Sequence, residues 1–263
     1  MQWGFFASFA MMFAMVWPLS TLAATALVAT SMTRALATDA PEVAGPATSE
    51  CVVVLHGLAR SSRSMAKLAG RLAEGGFAVR NLDYPSTKEP FEALAGLVAA
   101  EVESGTDACE KVHFVGYSLG ALLVRAILER SPPKNLGRVV MIAPPNHGSE
   151  IVDAIGGTRF FRAIYGPVGP ELGTSPAGIP ARLGAPAFEA GIIAGNRAIN
   201  LFGWALLPGE NDGTVSVASA RLEGMRDFIV VPRSHTFIMD APEVAAQAKA
   251  FLRSGSFDHG GAR

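Results

Sequence analysis

The chain has 263 residues, which is enough for one large domain or two small ones and ample for a buried core. Lys and Arg number 22 against 23 Asp and Glu, a formal net charge of −1, so the composition lacks the basic surplus typical of nucleic-acid-binding proteins and we expect no nucleic-acid partner. Hydrophobic residues make up 49% and charged residues only 17%, which indicates a membrane-like segment somewhere in the chain.

The apolar surplus lies at the N-terminus, where residues 1–33 contain no charged side chain. Residues 1–37 are either a cleaved signal peptide ending at the motif Ala35-Leu36-Ala37 or a retained transmembrane anchor. The A-x-A motif and the polar segment after it favour the cleaved signal. The absence of a basic residue before the apolar run and the length of that run are the arguments for an anchor, which would associate the protein with a membrane. Both alternatives predict an exported or membrane-anchored protein on the periplasmic or extracellular side. Residues 38–50 form a polar linker.

From residue 51 onward, short β-rich runs alternate with helical patterns, which is typical of crossover units and a parallel sheet. The sequence predicts an α/β fold with a mostly parallel sheet of about six strands flanked by helices. The predicted strands span 52–56, 77–82, 112–116, 138–143, 188–194 and 227–231, and the predicted helices span 64–74, 89–103, 119–130 and 242–253.

Cys51 and Cys109 are the two cysteines of the chain, and each lies near the start of a predicted strand. If these strands are parallel neighbours, both sulfur atoms lie at the same edge of the sheet. A compartment outside the cytoplasm would allow them to form a disulfide. Two unpaired buried thiols are the alternative.

Residues 149–187 interrupt the alternation of strands and helices with many Gly and Pro residues and a cluster of aromatic side chains that includes Phe160 and Phe161. Long irregular stretches inside compact domains usually carry function. We therefore expect a small cap insertion over a site. The alternative is a long crossover whose aromatic side chains fill the core. Residues 254–263 are polar and rich in Gly, and we expect a flexible tail.

The strongest chemical signal is the motif Gly116-Tyr117-Ser118-Leu119-Gly120, which joins a predicted strand to a predicted helix. A serine hydroxyl becomes a nucleophile when it is exposed on a sharp turn beside a general base, and the two glycines leave room for such a turn. The motif predicts that Ser118 is a catalytic nucleophile.

With this motif, residues 51–253 resemble the α/β-hydrolase superfamily, in particular bacterial serine esterases and lipases. The resemblance implies a three-layer fold with the active site at the carboxyl ends of the strands. The segment Leu55-His56-Gly57-Leu58 is similar to the family turn that provides an oxyanion-hole amide. The implied oxyanion hole therefore consists of the backbone N–H groups of Leu58 and Leu119.

The family order is nucleophile, acid, base, which selects His235 as the base, just after the last strand. His56 precedes the nucleophile, so we interpret it as a residue that orders its loop. Asp212 lies in a turn similar to the Asp-Gly-x-Val turn of lipases and is the predicted acid, with Glu210 as the alternative. The resemblance thus implies a Ser118–His235–Asp212 triad.

The implied activity is that of a serine carboxylester hydrolase, acting through an acyl-enzyme on a small-molecule or lipid ester. Tyr117, Phe160, Phe161 and Trp204 are candidate substrate-binding residues, with core packing as the alternative. No Cys or His cluster has the spacing of metal ligands and no nucleotide-binding glycine motif follows a strand, so we expect no metal or other cofactor. An acyltransferase with the same triad, or a non-catalytic binding protein on the same scaffold, would share these residues.

Overall fold

The computed structural model describes residues 50–260. The predicted leader or anchor at 1–37 lies outside the described residues, as does nearly all of the predicted linker. Within residues 50–260, every helix is too short or too polar to cross a membrane.

The core of the fold is one sheet of six strands with the order β2-β1-β3-β4-β5-β6, and all five neighbouring pairs are parallel. The predicted strands are confirmed to within a few residues at each end. The strands are β1 (Glu50–Leu55), β2 (Ala78–Leu82), β3 (Lys111–Tyr117), β4 (Leu136–Ile142), β5 (Ala190–Gly195) and β6 (Asp227–Val231).

Helices cover both faces of the sheet and create two apolar layers. One layer contains buried side chains of α1 and α9, and the other contains those of α2 and α3, so the predicted three-layer α/β fold is confirmed. The helices are α1 (Ala66–Glu74), α2 (Phe91–Gly105), α3 (Leu119–Arg130), α4 (Glu150–Ile155), α5 (Arg159–Tyr165), α6 (Ile179–Arg182), α7 (Leu201–Leu206), α8 (Val217–Ala220) and α9 (Pro242–Ser254).

The strand order reverses between β1 and β3, because the chain moves outward from β1 to β2 and then returns to the other side of β1. In open parallel sheets, ligands bind outside the carboxyl ends of the strands at such a switch point. The loop after β1 begins at His56 and the turn after β3 contains Ser118. The topology therefore brings these two segments together at the edge where a site is expected.

Cys51 and Cys109 form a disulfide, with their Cα atoms 5.8 Å apart. Cys51 lies in β1, opposite Val112 of β3, and Cys109 lies just before β3. Both sulfur atoms therefore lie at the same edge of two parallel neighbouring strands, as predicted. The alternative of two free thiols is excluded.

The stretch 149–187 consists largely of short helices: α4, α5, a 3-10 turn at Gly169–Leu172, and α6. Its start is tied to the loop of the predicted acid, since Ser149 Oγ donates a 2.7 Å hydrogen bond to the carbonyl oxygen of Thr214. Its end is tied to α3, since Arg125 donates to the carbonyl oxygens of Leu183 and Gly184. Whether this stretch acts as a cap stays a prediction.

The end of the chain differs from the expected flexible tail. The Phe257 ring is buried and packs 5.0 Å, centroid to centroid, from the ring of Phe251 in α9. The N–H of Phe257 also donates to Asp227 at the start of β6. The buried Phe257 ring and hydrogen bonds such as those between Gln247 and Asp258 thus hold residues 254–260 against the domain.

Candidate active site

Ser118 lies at the sharp turn between β3 and α3, with φ 53° and ψ −118°, a backbone conformation that a residue with a Cβ rarely adopts. The turn is held by the Ser118 N–H, which donates to the carbonyl oxygen of Ile142 at 2.9 Å. Gly120 allows the turn because a Cβ there would lie 2.5 Å from the Leu55 carbonyl oxygen. The strained turn therefore presents the Ser118 hydroxyl at the carboxyl end of β3.

His235 connects Ser118 to Asp212 through both nitrogens of its ring. Nε2 lies 3.1 Å from Ser118 Oγ, and Nδ1 lies 2.7 Å from Asp212 Oδ2. The backbone N–H of His235 also donates to the carbonyl oxygen of Asp212 at 2.9 Å. This arrangement fixes the tautomer, because Nδ1 carries the proton that the carboxylate accepts and Nε2 is left to accept the hydroxyl proton of Ser118.

The carboxylate of Asp212 is held rigidly in its turn. Its Oδ1 accepts hydrogen bonds from the N–H groups of Thr214 and Val215 at 2.9 and 2.8 Å, which leaves Oδ2 for His235. The side chain is only 1% exposed, so its partners are protein groups rather than water. Glu210, the alternative acid, contacts Asn196 at the surface instead.

The loop after β1 passes directly beside Ser118. A Cβ on Gly57 would lie 3.2 Å from Ser118 Cβ, so glycine permits the close approach. Within the described part of the chain, the backbone N–H groups of Leu58 and Leu119 have no hydrogen-bond acceptor. Two free donors that flank Ser118 match the arrangement that an oxyanion hole requires.

His56 is fully buried and orders this loop through Tyr84. Its Nδ1 lies 2.9 Å from the Gly57 carbonyl oxygen, and its Nε2 accepts a hydrogen bond from the N–H of Tyr84 at 3.2 Å. The two rings stack with centroids 4.0 Å apart, and the Tyr84 hydroxyl donates to the His56 carbonyl oxygen. Burial lowers the pKa of His56, so the ring is neutral at neutral pH.

Tyr84 is a residue that the sequence did not point to, because a tyrosine after an edge strand carries no chemical signature. Its partner is 28 positions away in the chain, and only the pairing of β1 with β2 brings the two rings together. Burial raises the pKa of Tyr84, which keeps its hydroxyl a hydrogen-bond donor.

The four candidate substrate-binding residues occupy different environments. Tyr117 is buried, and its hydroxyl donates to the carbonyl oxygen of His235, so it supports the base and is largely closed to solvent. Phe161 is buried against Tyr165, and Phe160 is about half exposed on the same helix. Trp204 is 73% exposed on α7. Contact of these side chains with substrate stays a prediction.

Helix α7 is attached to the turn of Asp212. Asn200 donates to the carbonyl oxygen of Gly213 at 3.0 Å, and a Cβ on Gly203 would lie 2.5 Å from the Cα atom of Gly213. Exposed apolar side chains lie on α7 and just before it, namely Ile199, Leu201 and Trp204, and Phe237 is exposed two residues past His235. Among residues 50–260 there is no group of three or more His, Cys, Asp and Glu side chains that could hold a metal ion.

Comparison with known proteins identifies the family of this chain. Residues 52–250 match the family model of the alpha/beta hydrolase family, and the chain belongs to that family. A search of the curated proteins found no match.

Solved structures similar to this chain include bacterial lipases and esterases. The mature form of lipase BlEst2 from Bacillus licheniformis has a TM-score of 0.63 at 21% identity, over 81% of this chain and 94% of that one. A metagenomic carboxyl esterase, MGS0156, has a TM-score of 0.61 at 19% identity, over 74% of this chain and 67% of that one. Phospholipase PlaB from Legionella pneumophila has a TM-score of 0.57 at 16% identity, over 80% of this chain and 60% of that one. At these identities the likeness concerns the fold.

Proposed function

We propose that this alpha/beta hydrolase is a serine carboxylester hydrolase with Ser118 as nucleophile, His235 as base and Asp212 as the residue that orients the base. The observation that carries the proposal is the hydrogen-bonded series, 3.1 Å from Ser118 Oγ to His235 Nε2 and 2.7 Å from His235 Nδ1 to Asp212 Oδ2. In a triad the first contact passes the hydroxyl proton to the base, and the second orients the base and stabilises its imidazolium.

In the first half of the reaction, Ser118 Oγ attacks the ester carbonyl carbon while its proton passes to His235 Nε2. The resulting imidazolium is stabilised by Asp212, whose burial keeps water from competing for the Nδ1 proton. The N–H groups of Leu58 and Leu119 donate to the negative oxygen of the tetrahedral intermediate. The intermediate collapses when His235 returns the proton to the departing alkoxide, which leaves as the alcohol.

In the second half, water attacks the acyl-Ser118 carbonyl carbon. His235 Nε2 accepts the proton of that water, the same two N–H groups bind the oxyanion, and the carboxylic acid leaves as Ser118 regains its proton. His235 is 12% exposed on its side chain, so solvent can reach the atom that activates the water.

The substrate that these surroundings favour is an ester with an apolar chain, from a small molecule or a lipid. Leu201 and Trp204 are more than 70% exposed, and Phe237 is 57% exposed beside the base. An apolar chain that covered such side chains would gain about 25 cal/mol for each square ångström removed from water.

The disulfide between Cys51 and Cys109 supports a location outside the cytoplasm, where structural disulfides persist. This agrees with the export or anchoring expected from residues 1–37. We propose that the hydrolase acts on the periplasmic or extracellular side.

Turnover of 4-nitrophenyl esters of increasing acyl length tests the proposal. We expect hydrolysis by the wild type and a loss of at least about 10⁴-fold in kcat/KM in Ser118→Ala. The matched control is Ser104→Ala, which changes an exposed serine at the end of α2 and leaves turnover unchanged. Absence of turnover by the folded wild type on every ester, or full activity in Ser118→Ala, would refute the proposed function.

A further inference from the structure

Arg60 is an exposed arginine in the loop that follows β1, three positions after Gly57. Within residues 50–260, its guanidinium makes no hydrogen bond and no ion pair. Asp83, the acidic residue of the neighbouring loop, forms no ion pair with Arg60; its Oδ1 accepts from the Ser62 N–H at 2.7 Å and lies 3.6 Å from His56 Nε2. A planar cation with five donors is therefore left available.

The backbone on both sides of Arg60 is fixed. Ala59 has φ 54°, a left-handed conformation that costs a residue with a Cβ free energy, and its N–H donates to Ser86 Oγ at 3.1 Å. On the other side, Ser62 is held by Asp83. Because the two neighbouring loops brace this segment, the direction in which Arg60 leaves the backbone is set before any ligand binds.

The segment that carries Arg60 begins beside the proposed active site. Gly57 packs against Tyr117 and Ser118, and the Tyr117 hydroxyl is bonded to the base loop. Burial raises the pKa of Tyr117 and of Tyr165, and the positive charge of Arg60 partly opposes that rise. Tyr165 is the last residue of α5.

The stretch 149–187 contacts the loop after β2 next to Tyr165. A Cβ on Gly166, which follows Tyr165, would collide with the carbonyl oxygen of Thr87. Thr87 belongs to the same loop as Ser86, the residue that holds Ala59. The loops after β1 and β2 and the end of α5 thus meet beside the segment that carries Arg60.

We propose that Arg60, together with the hydroxyl of Tyr165, forms a subsite for an oxyanion of the substrate, a carboxylate or a phosphate. A guanidinium binds either group through two parallel hydrogen bonds, and a tyrosine hydroxyl adds one donor. Combined with the apolar side chains around Trp204, this subsite selects amphiphilic esters that carry an anionic group. The inference rests on the proposed ester hydrolysis and names the substrate class of that same site.

Two matched pairs of esters test the subsite and distinguish the sources of the oxyanion. The pair 4-nitrophenyl hemisuccinate and 4-nitrophenyl butyrate has the same leaving group and acyl length and differs by a carboxylate. The pair dibutyryl glycerol phosphate and dibutyryl glycerol differs by a phosphate on the alcohol side. In Arg60→Gln, we expect the ratio of kcat/KM for the anionic over the neutral ester to fall about tenfold or more in at least one pair.

Arg63→Gln is the matched control, because Arg63 is also exposed and lies three residues further along the same segment. It should leave both ratios unchanged. Arg60→Lys should retain part of the preference, since it keeps the charge and loses the paired donors. The wild-type preference should also decrease at high ionic strength. Equal changes in anionic and neutral turnover in Arg60→Gln, or no change, would overturn the subsite while leaving ester hydrolysis intact.

A binding measurement separates this inference from the proposed function. In Ser118→Ala, calorimetry should show tighter binding of monomethyl succinate than of dimethyl succinate, and Ser118→Ala with Arg60→Gln should lose that difference. This result would support the subsite even if the wild type hydrolysed no ester. The subsite would be contradicted if monomethyl succinate and dimethyl succinate bound equally tightly both in Ser118→Ala and in the double variant.

Discussion

The hydroxyl of Tyr117 donates a 2.7 Å hydrogen bond to the backbone carbonyl oxygen of His235, and the two rings lie 5.2 Å apart between centroids. Tyr117 ends β3 and immediately precedes Ser118, whereas His235 lies in the loop after β6. One hydrogen bond therefore connects the strand that leads into Ser118 to the loop of His235, across 118 positions of sequence.

Removing that bond should displace the base slightly without removing it. In Tyr117→Phe, we expect kcat to fall by several-fold with KM nearly unchanged, and the free energy of unfolding to fall by about 1 kcal/mol. Steady-state kinetics and urea denaturation measure the two effects. Unchanged kcat together with unchanged stability would show that the bond does not position His235.

The two candidate acids give opposite expectations. Asp212→Asn should lower kcat by about 10⁴-fold, because an amide no longer fixes the tautomer or stabilises the imidazolium of His235. Glu210→Gln should leave kcat within about twofold of wild type, because Glu210 contacts Asn196 at the surface. The reverse outcome in the same ester assay would move the assignment to Glu210.

Two glycine substitutions with the same chemistry should have opposite effects on stability. Gly120→Ala places a methyl group 2.5 Å from the Leu55 carbonyl oxygen and 2.6 Å from that of His56, so it should destabilise the fold by about 2 kcal/mol or more and reduce turnover. Gly70→Ala, in α1, has open space around the new methyl group and should stabilise by about 0.5–1 kcal/mol.

Thermal and urea denaturation of the two glycine variants provide the comparison. A Gly120→Ala protein as stable and active as the wild type would contradict the close packing of the nucleophile turn against the end of β1. Gly70→Ala should leave ester turnover unchanged, since Gly70 lies in α1 and a Cβ there would face open space.

The disulfide should contribute substantially to stability. It joins residues 58 positions apart, for which chain entropy predicts up to about 4 kcal/mol. We expect reduction, or Cys51→Ser with Cys109→Ser, to lower the urea midpoint strongly while the reduced protein at low temperature retains its triad. Equal midpoints with and without reductant would show that the bridge does not stabilise the fold.

Buried histidine should make stability depend on acidity. Burial lowers the pKa of His113 from its ordinary 6.5, so the folded protein binds fewer protons than the unfolded chain below that pH. The stability is then complete above about pH 6.5 and decreases as the pH falls through that value. In His113→Gln, we expect a shallower loss of unfolding free energy between pH 7 and 5.

The control for this prediction is the absolute stability at pH 8, where His113→Gln should be no more stable than wild type, because His113 Nδ1 accepts a 2.8 Å hydrogen bond from the N–H of Arg138. The free energies of unfolding are measured by guanidinium denaturation at pH 7, 6 and 5. If they decreased equally with pH in the two proteins, the result would contradict a lowered pKa for His113.

The sequence was sufficient to predict the sheet and the turn of Ser118, because β-rich runs and a glycine-framed serine are local signals. His235 was selected by the residue order of the family that the sequence resembles. The helices inside 149–187 were not predicted, since each is short and receives its stability from neighbours rather than from its own periodicity. The roles of Tyr84 and Tyr117 depend on partners 28 and 118 positions away. Such contacts are produced by strand order and leave no local pattern.

The central claim is that Ser118, activated by His235, is the nucleophile, and a fluorophosphonate that reacts covalently with activated serines tests it most directly. Peptide mapping by mass spectrometry should find one adduct, on Ser118, and His235→Gln should slow its formation by about 10³-fold or more. An adduct on another residue, or an undiminished rate in His235→Gln, would contradict the account.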